Sequence, residues 1–207
     1  QACDPSKYVE AINACNNLIG EALLAGLPAL EVLDIGGGFP VAYNEQVPAI
    51  DEFCAPIRAA LAKLPKHVRL IAEPGRFLSA PAGVAVSTVM GKAKRDGRWW
   101  YYLDDGVYGS YSGQMFDHAK YPVSALKDSP VTFPSVLTGP TCDSIDVIDD
   151  NIQLPELDIG DLIVGRMMGA YTWASATDFN FFRRAKVVVV NERPAAEGRI
   201  VKLHRRR

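Results

Sequence analysis

No run of apolar residues in this 207-residue chain approaches the roughly 20 needed to cross a bilayer. The opening residues also lack the basic and apolar regions of a secretion signal. A cytoplasmic protein that stays off membranes is the expectation. Cysteine is sparse: Cys3, Cys15, Cys54 and Cys142 are the only four. They are too widely spaced for a zinc knuckle and too few for a disulfide framework, which fits a reducing compartment. Excess positive charge is missing too. A formal net charge of -2 leaves no global field to hold a nucleic-acid backbone, so nucleic acid is not an expected partner and any anion site must be local. Internal repeats and low-complexity tracts are absent, and the basic ending at 202–207 reads as a solvated tail.

What is present is enough apolar material for a core, 48% hydrophobic residues against 22% charged. Asp4-Pro5 followed by Val9, Ile12, Cys15, Leu18, Ile19, Ala22 and Leu23 predicts a capped amphipathic helix, stopped by Gly26 and Pro28. Leu30 to Ile35 reads as a short buried strand, residues 50–64 as a helix kinked or restarted at Pro56, and Val68 to Ala72 as a second buried strand. Helix and strand alternate up to about residue 75, which predicts parallel β/α units. Beyond a boundary near residue 80 the texture becomes β-rich, with runs at Val84–Met90, Trp99–Leu103, Val131–Leu137, Asp161–Val164 and Lys186–Asn191.

Gly36-Gly37-Gly38 follows the first strand and frees backbone N–H groups to approach an anion, as phosphate loops do. Alone it is a weak signal, and a tight strand-to-helix turn is the favoured reading. Glu73-Pro74-Gly75-Arg76 follows the second strand, so an acid and a fork of guanidinium donors emerge at the same end of the strands. Alone they are an ordinary ion pair. Two adjacent loops equipped for an anion favour one phosphate-bearing ligand more than either does singly.

These segments carry a resemblance. Leu33 to Pro40 and Ala72 to Phe77 resemble the phosphate-loop and cofactor-ring segments of the fold-type III, pyridoxal-phosphate-dependent decarboxylases of basic amino acids. Asp104-Asp105-Gly106-Val107-Tyr108-Gly109-Ser110, Phe116-Asp117-His118-Ala119, Gly139-Pro140-Thr141-Cys142-Asp143 and Met168-Gly169-Ala170-Tyr171-Thr172 resemble that family's β-domain segments, in the same order. The resemblance implies an α/β plus all-β fold: the C-terminal part of a cofactor-binding, TIM-like β/α barrel over residues 1–80, then a β-rich C-terminal domain over 81–207. It is similar to the C-terminal half of an ornithine or lysine decarboxylase of polyamine synthesis, giving putrescine or cadaverine.

The resemblance assigns roles residue by residue. Glu73 would sit beside the cofactor ring nitrogen and keep it protonated. Gly36, Gly37, Gly38, Gly75, Arg76 and Tyr171 would share the phosphate. Cys142 would return a proton to the carbon that carbon dioxide leaves. Asp117 and Asp143 would take the distal ammonium of a diamino acid, and Phe179 would line the pocket. Taken singly, a cysteine is more often a small buried hydrophobe, an aspartate solvated, and a tyrosine core packing. No metal is implied. Ornithine and lysine differ by one methylene, worth only about 1–3 kcal/mol of discrimination, so the choice between them stays open.

In this family a homodimer completes each site at the subunit interface. The cofactor lysine, an arginine phosphate segment and a ring-stacking histidine lie upstream, so the resemblance implies an N-terminal barrel half ahead of residue 1. A partial barrel is expected to leave strand edges and apolar faces bare. Two rivals share the fold. A non-catalytic decoy homologue that binds a partner protein would be free to lose the cysteine and the cofactor contacts, and an alanine-racemase-like isomerase leaves the cysteine-aspartate loop unaccounted for.

Overall fold

Asp4 starts the first helix by accepting from the Ser6 amide (2.8 Å) and the Ser6 hydroxyl (2.6 Å), contacts that hold its carboxyl below the usual range. In the computed structural model, which describes residues 1–191, helix α1 runs Ser6–Leu24 and buries Tyr8, Ile12 and Ile19 on one face. It closes with the Gly26 amide donating to Leu23 and the Leu27 amide to Ala22, a Schellman arrangement that satisfies its last carbonyls. Helix α2 (Ile50–Leu61) carries Pro56 within a single helix and packs Phe53, Ile57 and Ala60 against α1. Tyr8, Phe39 and Phe53 form the centre of this contact, with ring centroids 5.5 to 6.4 Å apart.

Strands β1 (Val32–Asp34) and β2 (Arg69–Ile71) pair in parallel, Leu33 opposite Leu70. The expectation of two buried strands needs correction. Val32, Leu70 and Ile71 are 46%, 47% and 37% exposed, because the sheet has only these two strands among the described residues. A short helix α3 (Gly75–Ser79) leads out of this layer.

The rest of the strands form one six-stranded sheet: β3 (Ala85–Arg95), β4 (Arg98–Leu103), β5 (Val123–Ala125), β6 (Phe133–Thr138), β7 (Val147–Leu154) and β8 (Leu162–Gly165), in the order β5-β8-β3-β4-β6-β7. Among the described residues of this sheet only β4 and β6 run parallel. The long β3 pairs with β8 through Ala85–Thr88 and with β4 through Gly91–Arg95, and the ladder shifts register between Val89 and Gly91. Tyr101, Leu103, Tyr111, Leu137, Leu157 and Ile163 fill the core beneath the sheet. A short helix α4 (Gly113–Asp117) lies between β4 and β5.

Four of the expected β-runs are strands. The fifth, Lys186–Asn191, joins no ladder among the described residues, and Val187 to Val190 are exposed, so that expectation is corrected. The basic run at 202–207 lies outside the described residues. No helix among the described residues is long and apolar enough to cross a membrane.

Candidate active site

The glycine loop is held from three sides. The Asp34 carboxylate accepts from the Gly36 amide (2.8 Å), the Glu73 amide donates to the Gly36 carbonyl (2.8 Å), and the Tyr8 hydroxyl donates to the Gly37 carbonyl. Gly36 and Gly38 adopt positive φ, and a Cβ at Gly37 would collide with the Glu73 carbonyl oxygen. This contact brings the first loop against the second, so the two strand ends present Gly36 to Gly38 and Glu73 to Arg76 side by side. The Gly37 and Gly38 amides have no protein acceptor among the described residues.

Arg76 is the charged centre of the first cluster. Its Nη1 donates to the Tyr43 hydroxyl at 2.9 Å and its Nη2 to the Asp117 carboxylate. The guanidinium lies 4.8 Å from the Tyr171 ring centroid and 5.7 Å from that of Tyr43. Burial opposes its charge, but Tyr43 and Asp117 outweigh burial and raise its pKa. Tyr171 is brought here by a stitch between the segment that follows β8 and the one that precedes β3: the Met168 amide donates to the Gly83 carbonyl (2.8 Å) and the Gly169 amide to the Ala80 carbonyl (3.0 Å). Gly75, Arg76, Ser79, Gly169, Tyr171 and Ser175 then line an open recess.

A second cluster lies on the loop after β6. The Tyr108 hydroxyl donates to Asp143 at 2.5 Å and its ring stacks on Phe179 at 4.2 Å. Asp143 is held below the usual carboxylate range by that hydroxyl and then by the Ile145 amide, while Tyr108 is pushed up to about 12, chiefly by Asp143. Cys142 is exposed, its Sγ 3.5 Å from Asn180 Nδ2. The residues singled out in the sequence therefore divide in two. Gly36 to Gly38, Glu73, Gly75, Arg76, Tyr171 and Asp117 share one region, and Cys142, Asp143 and Phe179 share another. Within one chain Asp117 pairs with Arg76 rather than standing opposite Asp143. Among the described residues no group of three or more histidine, cysteine or acidic side chains is placed to hold a metal.

Residues 8–169 match the model of the pyridoxal-dependent decarboxylases, C-terminal sheet domain. The chain belongs to that family. It is 36% identical over 204 residues to the lysine/ornithine decarboxylase of Selenomonas ruminantium, covering 97% of this chain and 51% of that protein. The crystal structure of the Vibrio vulnificus lysine/ornithine decarboxylase complexed with putrescine superposes with a TM-score of 0.90 at 59% identity, covering 92% of this chain and 52% of that one. The cadaverine complex from the same organism gives 0.91 at 59% identity, over 93% and 53%. The chain thus spans about half the length of these relatives.

The cofactor that names the family has a place here on structural grounds. Two unpartnered amides in the glycine loop, the open space around the Gly75 Cα, and a guanidinium held between two phenol rings suit a phosphate monoester. Sequence reasoning missed three residues that build the site. Tyr43 lies outside every matched segment, and only its contact with Arg76 marks it. Tyr108 lies within the Asp104–Ser110 segment, whose pattern gives it no role of its own. Asp146 is 2% exposed and takes hydrogen bonds from two loops, which nothing in a lone surface-type aspartate announces.

Proposed function

We propose that this chain is the cofactor-ring, phosphate and interface half of an enzyme that decarboxylates a diamino acid, ornithine to putrescine and, by the same chemistry, lysine to cadaverine, as a step of cytoplasmic polyamine synthesis. Residues 1–80 supply the last part of the β/α barrel and 81–207 the β-rich domain. An N-terminal barrel half supplies the cofactor lysine. Pyridoxal 5'-phosphate, when bound, acts as the electron sink for the bond that breaks.

The chain's own residues then have distinct tasks. Gly36, Gly37, Gly38, Gly75, Arg76 and Tyr171 hold the phosphate, with Tyr43 fixing the arginine. Glu73 keeps the proton on the ring nitrogen. Asp117 from one subunit and Asp143 from the other neutralise the distal ammonium, Phe179 walls the pocket, and Cys142 Sγ delivers a proton to the carbon from which carbon dioxide departs.

The observation that carries this reading is the separation of the two clusters. Among the described residues Arg76 with Asp117, and Asp143 with Cys142, share no contact within one chain, and each cluster keeps an exposed member, Asp117 in the first and Cys142 in the second, as suits halves of a site built across a homodimer. Borohydride reduction of the purified native protein followed by denaturing mass spectrometry is expected to show a pyridoxyl adduct on a longer or second chain. Carbon dioxide release from ornithine or lysine is expected to collapse in Cys142→Ala and Asp143→Ala. An unmodified 207-residue chain with no activity toward either amino acid would overturn the proposal.

A further inference from the structure

Asp146 is the most thoroughly used carboxylate among the described residues, and its side chain bonds to none of the groups assigned above. Its Oδ1 accepts from the Val107 amide at 2.9 Å. Its Oδ2 accepts from the Thr141 amide (3.0 Å) and the Thr141 hydroxyl (2.7 Å). Its backbone closes the same loop, the carbonyl accepting from the Gly139 amide (2.8 Å) and the amide donating to Asp143 (3.0 Å). The side chain is 2% exposed, and Gly106 and Gly139 lie so close on it that a Cβ at either would overlap the carboxylate.

One oxygen thus holds the loop that carries Tyr108, and the other holds the loop that carries Cys142 and Asp143. The Tyr108 hydroxyl reaches Asp143 only if the two loops keep their spacing. We infer that Asp146 is a positioning residue: a two-sided clamp that sets Cys142 and Asp143 against Tyr108 and thereby aims both at the substrate. The inference rests on the decarboxylase reading and deepens it, since no contact between Asp146 and a ligand is required.

The chemistry of the clamp makes a near-isosteric test available. Both carboxylate oxygens accept, whereas an amide offers one acceptor and one donor. Asp146→Asn therefore keeps its grip on one loop and turns an N–H group toward the donors of the other. Thr141→Val is the milder version, removing the hydroxyl donor and leaving the Thr141 amide in place.

The experiment uses the complete holoenzyme. Asp146→Asn is expected to lower kcat/KM by roughly 10- to 100-fold, the scale on which misplaced catalytic groups act, with kcat falling and KM rising together. Cofactor affinity should hold, because the phosphate cluster is built elsewhere. Thr141→Val should fall between Asp146→Asn and wild type. Carbon-13 labelling of tyrosine should show Tyr108 titrating at lower pH in Asp146→Asn, as its hydrogen bond to Asp143 is lost.

Unchanged kinetics in Asp146→Asn would overturn the inference. So would a kinetic loss that leaves the Tyr108 titration where it is in wild type, since that is the signature of general loosening. Failure of the decarboxylase reading itself looks different: Cys142→Ala and Asp143→Ala would then leave the wild-type rate untouched, while Asp146→Asn still moved Tyr108.

Discussion

Gly37→Ala tests whether the two phosphate-side loops are locked together as the geometry requires. The added methyl would fall roughly 1 Å inside ordinary contact with the Glu73 carbonyl oxygen, and both partners are backbone or tied to it. The glycine loop cannot retreat easily, because Tyr8 donates to its Gly37 carbonyl and the Ala2 amide to its Gly38 carbonyl at 2.8 Å. The bond that must yield is Glu73 N–H to the Gly36 carbonyl. Losing it costs about 1 kcal/mol, and the overpacking adds about 1–3, for a total of about 2–4 kcal/mol. In a domain of this size that lowers Tm by about 4–16 °C, measured by differential scanning fluorimetry.

Displacing Glu73 and Arg76 should also weaken pyridoxal phosphate binding, read by fluorescence titration of the complete enzyme. Gly75→Ala is the matched control. Nothing lies within 4 Å of a Cβ there, so stability should be unchanged and any loss of cofactor affinity would come from the ligand. If Gly37→Ala matched wild type in both Tm and cofactor affinity, the loops would not be packed as described.

The Tyr108–Asp143 bond gives a pH signature with two edges. Asp143 is depressed from 3.8, so its contribution is present above that pH and lost as pH falls. Tyr108 is raised from 10.0 to about 12, so its contribution is present below 10.0 and lost as pH rises toward 12. The Tm difference between wild type and Tyr108→Phe should be greatest in between and shrink on both sides; a gap that does not vary with pH would refute the pairing. In the core, Tyr101→Phe removes the oxygen that accepts from the Leu157 amide at 3.0 Å, and both residues are fully buried. That orphaned donor should cost about 1–3 kcal/mol in urea unfolding, with m unchanged. An unshifted midpoint would mean that water reaches the amide.

Much of this was legible in the residues. Helix α1, the parallel pairing of β1 and β2, and four of the six strands beyond residue 80 follow from periodicity and turn chemistry. Strand β7 is hidden in the sequence because Asp149-Asp150-Asn151 reads as a turn; in the structure the Asp149 carboxylate takes the Asn151 amide within an irregular ladder. Strand β5 is only three residues long. Lys186–Asn191 has the composition of a strand but no strand neighbour among the described residues, and composition cannot report a neighbour. The site residues are individually readable, yet their division into two clusters depends on loops far apart in sequence, such as the 41-residue separation between Arg76 and Asp117. Asp146 illustrates the limit best: a buried carboxylate and an exposed one are the same letter, and only the convergence of Val107 and Thr141 on it separates them.

The handover along β3 also dictates an order of events on the ribosome. Its second half can zip to β4 as a hairpin as soon as residue 103 emerges, since the turn between them is local. Its first half, Ala85–Thr88, must wait for Leu162–Gly165, and β5 waits for the same strand. During that interval two strand edges stand open with no local partner to cover them, and a nascent chain in this state invites pairing with another. The closing strand β8 leads directly into Met168 and Gly169, which tie Tyr171 to the older half of the chain. Completing the sheet and delivering the last phosphate-side residue are thus one step of synthesis, so a chain stalled before Gly165 lacks both.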